Sequence, residues 1–274
     1  MWHARAMRTN IPITDAPAGP LLLEPGRLLL VAIRFLTRIP VPEPRFRDGD
    51  LRRATPLFGL VGGIVAGCGI ATYLLASMLF DPIVAVLLAT AVEVAVTGAF
   101  HEDGLADVAD GIWGGWTKED RLRIMRDSRL GTYGTVALVL VLALRVALLA
   151  GMDATTFWQA TLAAHVLGRA AITVMIALLP PADTGGSGAA VSDPASMLGW
   201  LTVIVVTGVV LWVTFGAWAW VPAVAAALPI AATRRLYRRR LGGITGDALG
   251  ATVMLVHLMT VGVAAASTTV QITR

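Results

Sequence analysis

The sequence predicts an all-α, polytopic membrane protein with about seven transmembrane helices and one N-terminal interfacial helix. Of its 274 residues, 56% are hydrophobic and only 15% are charged, and the mean hydropathy is +0.73. Soluble domains of this length are much less apolar. Long uncharged runs that alternate with arginine-rich loops are also typical of a chain that crosses the bilayer repeatedly. The composition therefore excludes an ordinary soluble domain, and the single cysteine, Cys68, excludes a disulfide within the chain.

The elements can be assigned in chain order. Residues 1–25 are expected to form a disordered tail, and residues 26–274 a single integral-membrane domain. The segment Gly26–Thr37 is too short to span and carries two arginines, which favours an interfacial or re-entrant helix. A loop rich in glycine, serine and proline occupies residues 180–197. The seven expected spans are Leu57–Phe80, Ile83–Phe100, Thr132–Ala150, Phe157–Leu179, Gly199–Phe215, Trp218–Thr233 and Asp247–Val270.

The distribution of arginine predicts the orientation in the membrane. The loops at 45–53, 118–129 and 234–240 are arginine-rich, whereas those at 81–82, 153–156 and 216–221 contain no lysine or arginine. The positive-inside rule places the first set in the cytoplasm, with the N-terminus, and the protein in the cell inner membrane. The arginines of the cytoplasmic loops explain the net charge of +4. We therefore expect the lipid bilayer as a partner and no nucleic acid.

One strongly polar stretch, His101–Gly134, interrupts the apolar runs. If its beginning is helical, Asp103, Asp107 and Asp110 lie within roughly 60° of one another around the helix axis. Carboxylates on one face repel each other unless a cation lies among them, and Mg²⁺ prefers oxygen ligands and keeps positions open for substrate phosphates. The alternative is an ordinary solvated loop of mixed charge.

Arginines follow this acidic cluster. Arg121, Arg123, Arg126 and Arg129 are suited to bind phosphate oxygens through paired hydrogen bonds. Acidic residues followed by arginines are typical of a metal-and-diphosphate site, where catalysis is mostly positioning and charge neutralisation. The sequence therefore predicts an active site at the cytoplasmic edge of the membrane.

The same residues carry a resemblance. The motif HEDGLADVADG, followed by MRDSRLGTYG, closely resembles the cobalamin synthase family, the adenosylcobinamide-GDP ribazoletransferases of vitamin B12 synthesis. Phe35–Pro42, Pro56–Gly63 and Gly242–Ala251 are similar to further blocks of that family in the same order. The resemblance implies a Mg²⁺-dependent transfer of the adenosylcobinamide phosphoryl group from adenosylcobinamide-GDP to α-ribazole, or to its 5′-phosphate, with release of GMP.

We expect three classes of site residue. Asp103, Asp107 and Asp110 are the expected Mg²⁺ ligands, and Asp247 or Glu102 is the expected general base. The expected substrate-binding residues are His101, Arg126, Asp127, Arg129 and Arg169.

Purely structural roles remain open for some of these residues. Asp247 could cap the last helix, and Arg169 could form a buried ion pair with Glu93. On the last helix, Val253, Met254 and His257 depart from the glutamine and glutamate common in the family.

Two other functions also remain open. The acidic motif is loosely similar to that of the CDP-alcohol phosphotransferases, which act on membrane lipids, and a transporter could use the buried charges. The oligomeric state is open, with a homo-oligomer among the alternatives.

Overall fold

The computed structural model describes residues 24–44, 46–182 and 194–272, with side chains as far as Ser267. The all-α prediction is confirmed, because these residues form helices and no strands, apart from one isolated bridge between Pro181 and Ile244. The helices are α1 (Glu24–Leu36), α2 (Asp50–Ala54), α3 (Phe58–Ala76), α4 (Pro82–Thr97), α5 (Phe100–Gly114), α6 (Lys118–Met125), α7 (Thr132–Ala150), α8 (Ala154–Leu178), α9 (Met197–Phe215), α10 (Trp220–Arg240) and α11 (Gly246–Ile272).

The helices confirm a multi-pass membrane protein. Among the described residues, five helical segments are long and apolar enough to cross a membrane: Asp50–Ala76, Thr132–Ala150, Ala154–Leu178, Met197–Trp218 and Gly246–Ser267. A sixth is formed if α4 and α5, which meet at an angle of 87°, are counted as one bent span. The expected count of seven is not confirmed. The expected span Trp218–Thr233 lies in α10, which carries five arginines towards its end and is not among the candidates.

Two helices form the centre of the bundle. In the apolar windows of α8 and α11, 72% and 67% of the residues are buried, compared with 28% in α7 and 22% in the segment containing α9. A helix that is apolar on all sides and buried is a core helix, whereas α7 and α9 leave most of their surface to lipid. The functional side chains on α8 and α11 therefore lie inside the bundle.

The junction of α4 and α5 sets the direction of the polar helix. Gly98 and Ala99 both adopt the left-handed conformation, with φ of 66° and 58°, and together they end α4 three residues before the expected end of this span. The Arg38 side chain lies so close to Gly98 that a Cβ there would collide with it. Arg38 N–H also donates to the Val96 carbonyl (2.7 Å). The chain thus turns sharply, and α5 runs almost perpendicular to α4.

The N-terminal helix is tied to the segment that follows it. It begins at Glu24, two residues earlier than the expected start of the domain. The Arg27 guanidinium donates to Glu24 Oε2 and to Asp50 Oδ1, both at 2.9 Å. Its interfacial position stays a prediction. The rest of the expected tail, residues 1–23, and most of the loop at 180–197 lie outside the described residues.

Candidate active site

The acidic motif forms a helix, which is the condition under which its spacing places the three aspartates on one face. Helix α5 carries the three aspartates at increasing depth: Asp103 is exposed, Asp107 is half-buried and Asp110 is 9% exposed. The negative charges that act most strongly on Asp107 are those of Asp247, then Asp103, then Asp110. The carboxylate from the last helix therefore belongs to the same electrostatic site as the motif.

Close helix packing places Asp247 there. A Cβ at Gly104 would lie 2.8 Å from the Asp247 carbonyl oxygen and 3.0 Å from its Cα, and a Cβ at Gly250 would lie 3.3 Å from the His101 Cα. Because ordinary side chains do not fit at this crossing, α5 and α11 approach backbone to backbone. Gly104 immediately follows Asp103 and precedes Asp107 by three residues, so the start of α11 lies against the acidic part of α5.

The start of α11 is fixed by backbone hydrogen bonds to residues 180–182 and by a side-chain cap. Ile244 N–H donates to the Pro180 carbonyl, and Ala182 N–H donates to the Ile244 carbonyl, each at 2.8 Å. The helix cap is Thr245, whose hydroxyl oxygen accepts from Ala248 N–H (3.1 Å). The alternative that Asp247 caps the helix is therefore wrong. Asp247 lies in the first turn, where the helix dipole favours a carboxylate.

Asp110 has structural partners that the spacing did not predict. Its Oδ2 accepts from Gly131 N–H (2.7 Å) and its Oδ1 from Gly134 N–H (2.8 Å). A Cβ on either glycine would collide with this carboxylate. Asp110 thus fixes the start of α7 to the end of α5, and its role as a Mg²⁺ ligand stays a prediction.

Asp103 and Asp107 are the carboxylates of α5 that could hold a magnesium ion, and the Asp247 carboxylate adds negative charge beside them. Across the described ranges, no three acidic, histidine or cysteine side chains lie together as a ready-made metal site. Mg²⁺ does not require one, since it usually binds through one or two carboxylates and completes its shell with water and substrate phosphates. The oxygen-only donors and the like charges around half-buried Asp107 fit such an ion.

The arginine-bearing connection between α6 and α7 lies at the surface. Arg126 and Arg129 are exposed. The Arg129 guanidinium donates to Asp127 Oδ2 (2.7 Å), and these hydrogen bonds lower the pKa of Asp127 below its usual value. Arg129 is thus partly neutralised by its neighbour, and the same connection ends at Gly131, which binds Asp110. The cationic loop and the acidic helix are therefore joined directly.

Helix α6 has structural anchors of its own. Thr117 and Asp120 form the capping box at its start, so Asp120 has a structural role. Buried Arg121 donates to the Arg240 carbonyl (3.3 Å). This bond joins the arginine-rich segment 118–129 to the arginine-rich end of α10.

Three of the expected site residues line a buried cavity and do not lie among the aspartates. His101, Glu102 and Arg169 line a small cavity, and Arg169 is 1% exposed. Arg169 Nη1 contacts His165 Nδ1 (2.9 Å) and donates to the His165 carbonyl (3.2 Å). The structure therefore separates the two candidate bases: Asp247 lies with Asp107, and Glu102 faces this cavity.

The expected Glu93–Arg169 ion pair is wrong. Glu93 pairs instead with Arg145 of α7, and His165 Nε2 lies 3.3 Å from its carboxylate. At about 1.5 Å per residue, Arg145 lies about 20 Å from the start of α7 at Thr132, which is deeper in the membrane than Glu93. Residues at different depths are not expected to pair when the helices are treated as upright, so this estimate could not predict the ion pair. The signal that could have identified Arg145 is its isolation as the one charge in an otherwise apolar span.

Comparison with known proteins decides the family. The family described as cobalamin-5-phosphate synthase matches residues 28–265. The chain belongs to this family. It is 41% identical to the adenosylcobinamide-GDP ribazoletransferase of Rhizobium etli (strain CIAT 652), over 84% of this chain and 92% of the relative. It is also 41% identical to the enzymes of that name from Shewanella frigidimarina (82% and 88% covered) and Ralstonia nicotianae (87% and 94% covered). No solved structure matches the chain.

Proposed function

We propose that this protein is an adenosylcobinamide-GDP ribazoletransferase of the cell inner membrane, with its N-terminus and active site on the cytoplasmic side. It transfers the adenosylcobinamide phosphoryl group to a ribose hydroxyl of α-ribazole or of α-ribazole 5′-phosphate, which gives adenosylcobalamin or its 5′-phosphate, and GMP. The observation that carries this proposal is the close approach of Asp247 to the helix that bears Asp103 and Asp107. The relatives with this name align with the chain over about nine-tenths of their length.

The orientation is supported by the grouping of basic segments. Arg121 of the segment 118–129 is bonded to Arg240 at the end of α10, and α11 begins six residues later beside α5. The arginines and the acidic site therefore lie at one end of the bundle, the end that the positive-inside rule assigns to the cytoplasm. Nucleotide-activated substrates are found there.

The proposed mechanism needs one metal site and one base. Asp103 and Asp107 would hold Mg²⁺, with Asp110 as a further candidate, and the ion would neutralise charge on the diphosphate. Asp247 accepts the proton of the attacking ribose hydroxyl. The hydroxyl oxygen then forms a bond to the phosphorus next to the cobinamide, while the bond from that phosphorus to the bridging oxygen of GMP breaks.

The arginines act on the substrate charge. Arg126 and Arg129 lie exposed on the connection that Asp110 ties to α5, and their guanidinium groups can bind the phosphate oxygens as GMP departs. Asp127 holds Arg129 until the substrate arrives. Orientation and charge stabilisation supply most of the rate enhancement in such a transfer.

The proposal is tested by GMP release. Purified protein in detergent receives adenosylcobinamide-GDP, α-ribazole and Mg²⁺, and the variants Asp247→Asn and Glu102→Gln are measured beside the wild type. Loss of a positioned general base costs about 10²- to 10⁴-fold in rate, so Asp247→Asn should lose at least 100-fold. Glu119→Gln, at an exposed acid in the first turn of α6, is the matched control.

Each outcome has a clear meaning. GMP release that requires both substrates supports the transferase. Equal activity in the wild type and in Asp247→Asn would refute the assignment of the base. Release of CMP from a CDP-linked lipid precursor, without GMP release, would instead favour the lipid-enzyme alternative.

A further inference from the structure

The cavity behind α5 is surrounded by charged and polar groups. It is lined by residues of α4, α5, α7, α8 and α11 and measures about 10 Å³, which is at the lower limit of the space that one water molecule needs. The polar residues of its wall are Glu93, Thr97, His101, Glu102, Arg145, His165, Arg169 and His257.

Only part of this charge is neutralised by direct contact. Glu93 lies against both Arg145 and His165. Glu102 and Arg169, in contrast, form no ion pair with each other in the described part of the chain, although both line this cavity. Arg169 Nε, Glu102 Oε2 and His101 Nε2 are all buried, and none has a hydrogen-bond partner among the described residues.

Two opposite charges that face one small cavity without touching require a mediator. An unpaired buried ion and an unsatisfied buried donor or acceptor both destabilise a folded protein. Buried water satisfies such groups when two to four polar partners converge on it. Seven buried polar atoms on this wall have no hydrogen-bond partner among the described residues, and Arg169 Nε, Glu102 Oε2 and His101 Nε2 are three of them. Because Glu93 already contacts Arg145 and His165, Arg169 and Glu102 are the donor and the acceptor of opposite charge that lack an ion pair.

We propose that this cavity binds one ordered water molecule, which accepts a hydrogen bond from Arg169 and donates one to Glu102. Arg169 is then a positioning residue for the acidic helix and does not bind substrate. The bridge fixes the first turn of α5, in which Asp103 directly follows Glu102. Since Asp110 fixes the far end of α5 to Gly131 and Gly134, the helix that carries the metal ligands is held at both ends.

A double-mutant cycle tests the bridge. The variants are Arg169→Met, Glu102→Gln and the double variant, with Arg169→Lys to retain the charge. Thr97→Val is the matched control on the cavity wall, because the Thr97 hydroxyl donates to the Glu93 carbonyl (3.1 Å) and carries no charge. The readouts are kcat and KM for GMP release, which rest on the proposed function, and the melting temperature in detergent, which does not.

A bridge predicts coupled effects. Each single variant should lower kcat about tenfold and change KM for adenosylcobinamide-GDP less than threefold, and the double variant should be no worse than the worse single one. That result is a tenfold coupling, or about 1.4 kcal/mol. Arg169→Lys should recover part of kcat. Additive losses, or a large rise in KM for Arg169→Met alone, would overturn the proposal.

A second measurement remains decisive if the wild type releases no GMP or the variants do not fold. If GMP release fails, the same coupling should appear as a non-additive loss of melting temperature. A high-resolution cryo-electron microscopy map of the wild-type protein should show one density peak within hydrogen-bond distance of both Arg169 and Glu102. An empty cavity, or a direct contact between the two side chains, would refute the water bridge whatever the protein catalyses.

Discussion

The crossing of α5 and α11 at Gly104 gives the sharpest prediction, for the substitution Gly104→Ala. The added Cβ would lie 2.8 Å from the Asp247 carbonyl oxygen and 3.0 Å from the Asp247 Cα. Ordinary contacts begin near 3.4 Å, so the start of α11 must retreat by about 0.4–0.6 Å. The atoms in the way are backbone atoms, and they cannot move aside by rotating a side chain.

The expected cost falls mainly on catalysis. Overpacking costs roughly 1–3 kcal/mol of stability. A misplacement of about 1 Å can cost 10²-fold in rate, so we expect a loss on the order of tenfold in kcat from this smaller shift. KM for adenosylcobinamide-GDP should change little, because the arginine-bearing connection does not move.

The assay is GMP release at saturating substrates, together with thermal unfolding in detergent. The matched control is Gly262→Ala, at a position in α11 where a Cβ meets no atom within 4 Å; it should keep full activity, since alanine favours a helix. If Gly104→Ala kept kcat within twofold and the same melting temperature, Asp247 would not act through its contact with α5, and our assignment of the base would be wrong.

Three further predictions concern neighbouring parts of the site. Asp110→Ala removes two charge-assisted hydrogen bonds and should lower the free energy of unfolding by roughly 3–6 kcal/mol. The control Asp153→Ala removes an ordinary helix cap and should lower it by about 1 kcal/mol. Equal losses of the two variants in chemical denaturation would contradict the structural role of Asp110. Arg145→Met leaves Glu93 buried without its main partner and should destabilise by about 3–5 kcal/mol; restoration by the added change Glu93→Gln, followed by thermal unfolding, checks the cause. Removing divalent cations with a chelator should stop GMP release, and Asp107→Asn should raise the Mg²⁺ concentration for half-maximal rate about tenfold; release that persists without metal would refute the metal site.

The spacing of the acidic motif predicted which residues share a face if the motif is helical, because this information is local. The spacing of Asp103, Asp107 and Asp110 is that of one helical face, and the structure has α5 at this place. Spacing could not show that Asp110 faces Gly131 and Gly134, since that contact depends on where α7 begins. The joining of Asp247 to this helix came from the resemblance alone, because a contact between distant helices leaves no local pattern.

For the buried charged residues, the sequence predicted their location but not their partners. Ionisable side chains in apolar spans are costly in lipid and belong in the bundle interior, and the cavity contains several of them. Their partners were not predictable. Helix order, the bend after α4 and the offset between α4 and α7 decide that Glu93 meets Arg145, and none of these can be obtained from depth counted along a straight helix.

The crossing at Gly104 also bears on how the protein is made. The Mg²⁺ ligands that we propose lie on α5, but the base that we propose lies on α11, which leaves the ribosome more than 100 residues after α5. A nascent chain that has inserted α5 but not α11 thus holds an incomplete centre, and it should not cleave adenosylcobinamide-GDP during synthesis. Catalytic competence appears only when α11 docks, so separately expressed fragments, one ending before α11 and one beginning with it, should regain activity only by reassembling in the membrane.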